Sequence, residues 1–353
     1  MSTLIVPCGG KSSRFPGLKP KWMLTHPDGS LMVQKSIKGL LLDNKFDRII
    51  ITILEDHVQT YDALKVLEQA FYNFQPKVEF CILKEPTASQ SETVYKTLLQ
   101  MKVSGGFTIK DSDNYVEVDL GGGDKNTIAC LTLSQNIEVS NVASKSFIIA
   151  NNQGIIQSII EKEIVSKEIC VGVYSFYDAE MFKSAYLALL DLSNSGELYV
   201  SHIVAQLIND GYIFEKLSIK SYKDWGTIEE WRKEQEKFKT FFIDFDGVLI
   251  KNSGQYGKLN WDNNNQLNEK NCQLIKKLQC KGAQIVITTA RPWSYEKMVK
   301  DLLLEAGITP YFILMGLNHA QRVIVNDFAS TNPFPSCISI SIPRDGDLTE
   351  FLH

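Results

Sequence analysis

The sequence predicts an α/β protein of two domains, each a mostly parallel sheet flanked by helices. Three observations predict it. The chain has 353 residues, and at roughly 100–200 residues per domain that length suits two domains. Short β-branched runs alternate with stretches of helical apolar spacing, the mark of βαβ units. The alternation starts afresh at Thr240, directly after a charged helical run, IEEWRKEQEKFK. A polar connector of this kind marks a boundary, so the domains are expected at 1–238 and 239–353.

Leu4–Pro7 is a short buried strand, followed by a loop from Cys8 to Lys21. Leu31–Leu42 has helical spacing, Arg48–Leu54 (RIIITIL) is a β-branched strand, and Val58–Phe71 is helical again. Val78–Leu83 is the next strand. Strands dominate from Phe107 to Ile219, with Gly121-Gly122-Gly123 as a break and helices at Met181–Leu192 and Val200–Asn209. In the second domain Thr240–Ile243, Gln284–Thr288, Tyr311–Leu314 and Arg322–Val325 are expected strands, and Gln266–Lys281 and Ser294–Ala306 expected helices. The right-handed crossover rule limits how such units connect.

Composition excludes several classes. With 44% hydrophobic and 22% charged residues the chain is globular rather than disordered. A net charge of -4 argues against a nucleic-acid partner. No apolar run reaches the roughly 20 residues that cross a bilayer, so no membrane partner is expected. The start, MSTLIVPCGGKSSR, is a strand running into a Gly-rich loop, unlike a signal peptide. The 7 cysteines are scattered without a CxxC, which suits reduced thiols in a cytoplasmic protein. Homo-oligomerisation stays open.

The loop Gly9-Gly10-Lys11-Ser12-Ser13-Arg14 follows the first strand directly. Glycines there let backbone N–H groups approach phosphate, and Arg14 adds a forked cation. Lys21 is close enough in sequence to reach the same phosphates. Asp111-Ser112-Asp113-Asn114 follows the strand Phe107–Lys110, and alternate carboxylates at a strand end suit Mg²⁺. Asp224, before Trp225-Gly226-Thr227, offers a distant second carboxylate; an Asp in that position equally serves as an N-cap.

Taken as an ordered set, these residues resemble the sugar-phosphate nucleotidyltransferase family, over residues 1 to about 235. The opening matches G-G-x-x-x-R-F…P-K at Gly9, Gly10, Arg14, Phe15, Pro20 and Lys21. Ser12-Ser13 stand where the family carries glycine-threonine. Asp113-Asn114, Glu161-Lys162, Gly172, Gly196-Glu197-Leu198 and Asp224 match further family segments in order. The resemblance implies a Rossmann-like nucleotidyltransferase fold. Asp113 and Asp224 would hold Mg²⁺, with Asp111 as an outer ligand. Arg14 would hold the triphosphate, Lys21 the α-phosphate and Lys162 the acceptor phosphate, beside Glu161, Gly172 and Glu197. Pro86–Thr93, with Thr87 and Ser89, would read the base. His202 is more simply a packing histidine.

Phe241–Leu249 (FFIDFDGVL) is an apolar strand ending in D-x-D-G. It resembles the opening motif of the haloacid-dehalogenase-like phosphohydrolases, over about Thr240 to His353. The resemblance makes Asp244 a nucleophile and Asp246 a general acid and base. Thr289 would donate to phosphate. Asp327, after RVIVN, would join Asp244 and Asp246 at Mg²⁺. The family's third-motif lysine has no counterpart, and Arg322 is the nearest substitute. The spacings leave no room for a cap domain.

The expectation is therefore a bifunctional enzyme. An NTP (CTP first, then GTP or UTP) would donate its nucleoside monophosphate to a sugar or alditol phosphate, and a phosphatase would act in the same pathway. Such fusions resemble enzymes of bacterial capsule and surface-glycan synthesis. Two alternatives stand beside it: a phosphohydrolase-like domain that is a weak or structural module, and a nucleotide-sensing first domain attached to a phosphatase.

Overall fold

β1 (Thr3–Pro7) and β2 (Arg48–Leu54) set the pattern of the first part of the chain. Both are buried along nearly their whole length. Ile5 and Ile50 enter a core with Leu98, Phe176 and Phe182. Their neighbours Leu4, Val6, Ile49 and Ile51 enter a second core with Val33, Ile37 and Leu67. Side chains alternate along a strand, so an unbroken apolar run needs cover on both faces. The computed structural model describes residues 2–352 except 13, 41–45, 121–124, 134–138, 140, 193–196, 253, 255–256, 264, 328–336 and the side chain of Leu192. Ser13, the Gly121-Gly122-Gly123 break and Gly196 lie outside the described residues.

The elements follow in order as α1 (Met32–Lys38), α2 (Glu55–Tyr61), α3 (Ala63–Ala70), β3 (Val78–Leu83), α4 (Gln90–Gln100), β4 (Phe107–Lys110), β5 (Asn114–Glu117) and β6 (Asn126–Thr132). Then come β7 (Ser146–Ala150), β8 (Ile156–Glu161), β9 (Glu168–Phe176), α5 (Ala179–Leu192), α6 (Val200–Asn209), β10 (Phe214–Ser218), β11 (Ser221–Asp224) and α7 (Ile228–Glu236). The main sheet runs β10-β6-β9-β4-β1-β2-β3, with β7 and β8 attached through β9. Strands β4, β1, β2 and β3 are parallel, and β9 enters antiparallel between β4 and β6. Helices α4, α5 and α6 cover one face, α1 and α3 the other. The helix expected over Val58–Phe71 is instead two. Asp62 between them is left-handed, with φ 52° and ψ 34°, a conformation Asp tolerates better than most residues.

The chain divides into two compact units, Met1–Trp231 and Arg232–His353. The second contains β12 (Thr240–Asp244), α8 (Gly257–Asn263), α9 (Glu269–Cys280), β13 (Gln284–Thr288), α10 (Glu296–Glu305) and β14 (Phe312–Leu314). Its three strands are parallel in the order β12-β13-β14. α8 lies between the expected strand Thr240–Ile243 and the expected helix Gln266–Lys281, a stretch for which no helix is expected from the sequence. The strand expected at Arg322–Val325 does not form. Residues 321–327 carry no strand, and Val323, Ile324 and Val325 are 76%, 51% and 87% exposed. Among the described residues β12 is an edge of the sheet, and this β-branched run does not pair with it.

Candidate active sites

β1 and β4 are parallel neighbours, with Ile5 opposite Ile109. The loops leaving their carboxyl ends therefore emerge side by side, the usual place for a site in an open α/β sheet. The first loop is Cys8–Arg14 and the second Asp111–Asp113. Phe15 and Trp22, 2% and 1% exposed, anchor the first loop in the core. Ser12, left-handed at φ 50°, accepts the Lys21 N–H on its hydroxyl at 3.2 Å. Lys21 is thereby set in a one-turn 3-10 helix, and its Nζ donates to Asp113 Oδ2 at 2.5 Å. Arg14 reaches the same oxygen at 3.9 Å. Gly10 faces open space and Lys11 is exposed. Gly9 packs on Thr93, 3.2 Å from where a Cβ would stand.

The short β5–β11 ribbon brings in the distant carboxylate. Asp224 pairs with Asn114, and the Trp225 N–H donates to the Asp113 carbonyl at 2.9 Å. A Cβ at Gly226 would lie 3.2 Å from Asp224 Oδ1, 3.4 Å from Arg14 and 3.6 Å from Asp113 Oδ2. Two carboxylates and a guanidinium thus face the one small space beside Gly226. Hard oxygens around such a cradle fit Mg²⁺. Burial pushes the Asp113 carboxyl up, but Lys21 and Arg14 hold it well below the usual carboxylate range. The second oxygen of Asp224 is paired with Lys145, a residue that sequence reading passed over.

Asp111 turns away from that space. Gln90 donates to its Oδ1 at 2.5 Å, and its Oδ2 would stand 2.0 Å from a Cβ on Gly172. Gly172, left-handed at φ 72°, is thus fixed by both conformation and close packing. Burial and the Asp113 charge push the Asp111 carboxyl up. Lys110 lies fully buried beneath the turn. Its ammonium donates to the carbonyls of Asp111 at 2.6 Å and Asn114 at 2.9 Å, and burial pushes its pKa down to about 8.

Glu161 accepts from Ser146 at 2.5 Å and from Ser201 at 2.6 Å. Lys162, left-handed at φ 57°, stands 4.1 Å over the Tyr199 ring and donates to its hydroxyl. Tyr199 in turn donates to Glu197, so Tyr199 joins Glu197 to Lys162. The hydrogen bond to Tyr199 raises the Lys162 pKa. His202 accepts the Tyr199 N–H at 3.3 Å, which is a helix-cap role. Thr87 bonds Thr93 at 2.5 Å, and Ser89 caps α4 by accepting the Glu92 N–H at 3.2 Å. Those two hydroxyls shape the segment Pro86–Thr93 from inside.

In the second unit Asp244 ends β12 opposite Thr288. Burial and the Asp246 charge push its carboxyl up to about 6, against an opposing pull from Arg322 and His319. Asp246 accepts from Thr289 at 3.1 Å, from Asn260 at 3.1 Å and from Arg291 NH2 at 2.8 Å. Arg291 is fully buried and was not singled out in the sequence. Gly247, at φ 83°, turns the chain after Asp246. Asp327 lies on the exposed stretch 321–327. Among the described residues no group of three or more His, Cys, Asp or Glu gathers into a metal cage in either unit. No described helix is long and apolar enough to cross a membrane.

Residues 241–318 match the haloacid dehalogenase-like hydrolase family. No curated protein matches the chain. Among solved structures, a nucleoside-diphosphate-sugar pyrophosphorylase from Vibrio cholerae RC9 is 19% identical with a TM-score of 0.56, over 66% of this chain and 99% of that one. The inositol-1-phosphate CTP transferase from T. maritima is 13% identical with a TM-score of 0.50, over 67% and 96%. A UDP-glucose pyrophosphorylase complexed with UDP-glucose is 12% identical with a TM-score of 0.50, over 67% and 97%. The family match is to hydrolases and the fold likenesses are to nucleotidyltransferases. The chain therefore joins the fold of the sugar-phosphate nucleotidyltransferases, over its first two thirds, to a haloacid dehalogenase-like hydrolase domain.

Proposed function

We propose that residues 1–238 transfer a nucleoside monophosphate from an NTP to a sugar or alditol phosphate, releasing pyrophosphate. CTP is the first choice of donor, before GTP and UTP. Residues 239–353 would hydrolyse a phosphate ester of the same cytoplasmic pathway, in the manner of capsule and surface-glycan enzymes. The observation that carries this reading is the convergence of Arg14, Asp113 and Asp224 on the space beside Gly226, with Lys21 on Asp113.

An acceptor phosphate oxygen would attack the α-phosphorus, and the bond from that phosphorus to the β-phosphate oxygen would break. The nucleophile is already anionic, so no general base is needed. The protein must gather like charges and stabilise the transition state. Arg14 and Lys21 serve the triphosphate, and Lys162 the acceptor. Mg²⁺ held by Asp113 and Asp224 would neutralise charge on the reacting phosphates. The test is pyrophosphate release from the four NTPs against a panel of sugar and alditol phosphates. Lys21→Ala should lower turnover by about 10²–10³-fold, the scale of one lost transition-state donor. Near-normal turnover in that variant would sink the assignment.

A second reading of the hydrolase domain has its own support. The Asp246 carboxylate already accepts from Thr289, Asn260 and the buried Arg291, which suits a binding or structural module as well as a catalyst. Phosphate release by wild type and by Asp244→Asn, across the same metabolites, separates the two. Release lost in the variant favours the phosphatase; none from wild type favours the module.

A further inference from the structure

Lys145 stands immediately before β7, outside every motif the sequence displayed. Its carbonyl accepts the Lys162 N–H at 3.0 Å, and the next residue, Ser146, lies opposite Glu161 across the β7–β8 hairpin. Its main chain is therefore pinned to the acceptor side of the site. Its side chain, only 18% exposed, runs the other way and ends on Asp224 Oδ2. The remaining oxygen, Asp224 Oδ1, accepts the Gly226 N–H at 3.1 Å and faces the space shared with Arg14 and Asp113.

Each of the two carboxylates suited to a divalent cation thus carries one ammonium: Lys21 on Asp113, Lys145 on Asp224. A cation that takes both carboxylates competes with both lysines. The Lys145 ammonium sits on a largely buried stem, so a charge released from Asp224 stays within the site. Of the other carboxylates whose charge acts on it, Asp113 is taken by the same cation and Glu230 already accepts from Thr227, so the phosphates that arrive with the metal are the new anions within its reach. An unpaired buried ammonium is costly, which drives it onto them.

We infer that Lys145 is a phosphate ligand, held on Asp224 until a divalent cation displaces it. The inference rests on the nucleotidyl-transfer reading above and adds a residue to that site. It has a signature that a mere brace for Asp224 lacks. Without the competing ammonium, the bare protein binds the metal more tightly, yet binds phosphate less well.

The test uses the full chain and Lys145→Met, which keeps the stem and removes the charge. Mn²⁺ titrated into the nucleotide-free protein, followed by electron paramagnetic resonance, should bind about tenfold more tightly to the variant, the scale of one charge acting on a neighbouring carboxylate. Inorganic tripolyphosphate with Mg²⁺, and glucose 1-phosphate in a separate titration, report the phosphate side. Weakening of the first assigns Lys145 to the donor, weakening of the second to the acceptor; either supports the inference. Lys145→Arg should return both affinities toward wild type. Weaker or unchanged Mn²⁺ binding in Lys145→Met, or unchanged binding of both phosphates, overturns it. If wild type binds tripolyphosphate but releases no pyrophosphate with any substrate pair, the transfer reading fails while the Lys145 result stands.

Discussion

At Asp244 two electrostatic effects, burial and a neighbouring charge, act on one carboxyl. The residue ends an apolar strand two residues from Asp246, and burial with that neighbouring charge raises its carboxyl to about 6. The folded protein therefore holds the proton more tightly than the unfolded chain, whose Asp titrates near 3.8. Where the native state binds more protons, stability falls as pH rises. In the metal-free protein this group's contribution should decline from about pH 4 to pH 6 and then level off. Asp244→Asn removes the penalty. Denaturant melts should find the variant more stable than wild type at pH 7, with the gap closing toward pH 4. A variant less stable than wild type at pH 7, with the deficit shrinking on acidification, would show that the pull of Arg322 outweighs burial and the Asp246 charge. Sequence and structure part company at this scale by distance along the chain. Gly9, Arg14 and Lys21 were legible because they share one loop. Lys145 was not, because its partner Asp224 is 79 residues away. Gln90 and Ser201 escaped for the same reason, their carboxylate partners being 21 and 40 residues off.

Among the elements, strands buried on both faces were the easiest to read, since RIIITIL admits no other placement. Arg322–Val325 has the same composition and no strand, because composition does not supply a ladder partner. The break at Asp62 was equally hidden, since a helical apolar pattern runs straight through it. α7 is an element whose start is set locally. Thr227 accepts the Glu230 N–H at 3.3 Å, and Glu230 accepts the Thr227 N–H at 3.0 Å, a reciprocal cap. The same Glu230 lies close enough for its charge to act on Lys145. Thr227→Ala should cost about 1 kcal/mol and lower Tm by about 2–4 °C. Calorimetry of the purified chain measures it. An unchanged Tm would mean that burial of Trp231 alone fixes the start of α7.

At the scale of the whole molecule the question is where one folding unit ends. Trp231 is fully buried with Phe15, Leu24, Met32 and Trp225, a cluster that includes the residue next to Arg14 and the residue next to Asp224. Its ring stands edge-on to Trp225 at 5.6 Å. The first turn of α7, Ile228–Trp231, therefore supports the phosphate loop and the second carboxylate from behind, although in sequence it looks like part of a charged linker. A large aromatic side chain removed from such a core costs about 3–5 kcal/mol, a large share of a domain's stability. We propose that 1–238 and 240–353 fold as separate units and that the cut must fall after Trp231. A fragment of residues 1–238 should be soluble, melt cooperatively and retain nucleotidyl transfer. A fragment of residues 1–227, shorter only by α7 and the two residues after it, should melt well below it or aggregate, and should bind Mg²⁺–tripolyphosphate poorly because Arg14 and Asp224 lose their support. Circular dichroism melts of the two fragments beside the full chain decide the matter. If 1–238 aggregates while the full chain does not, the first unit depends on the second. If 1–227 melts with 1–238, Trp231 packs there without holding the site.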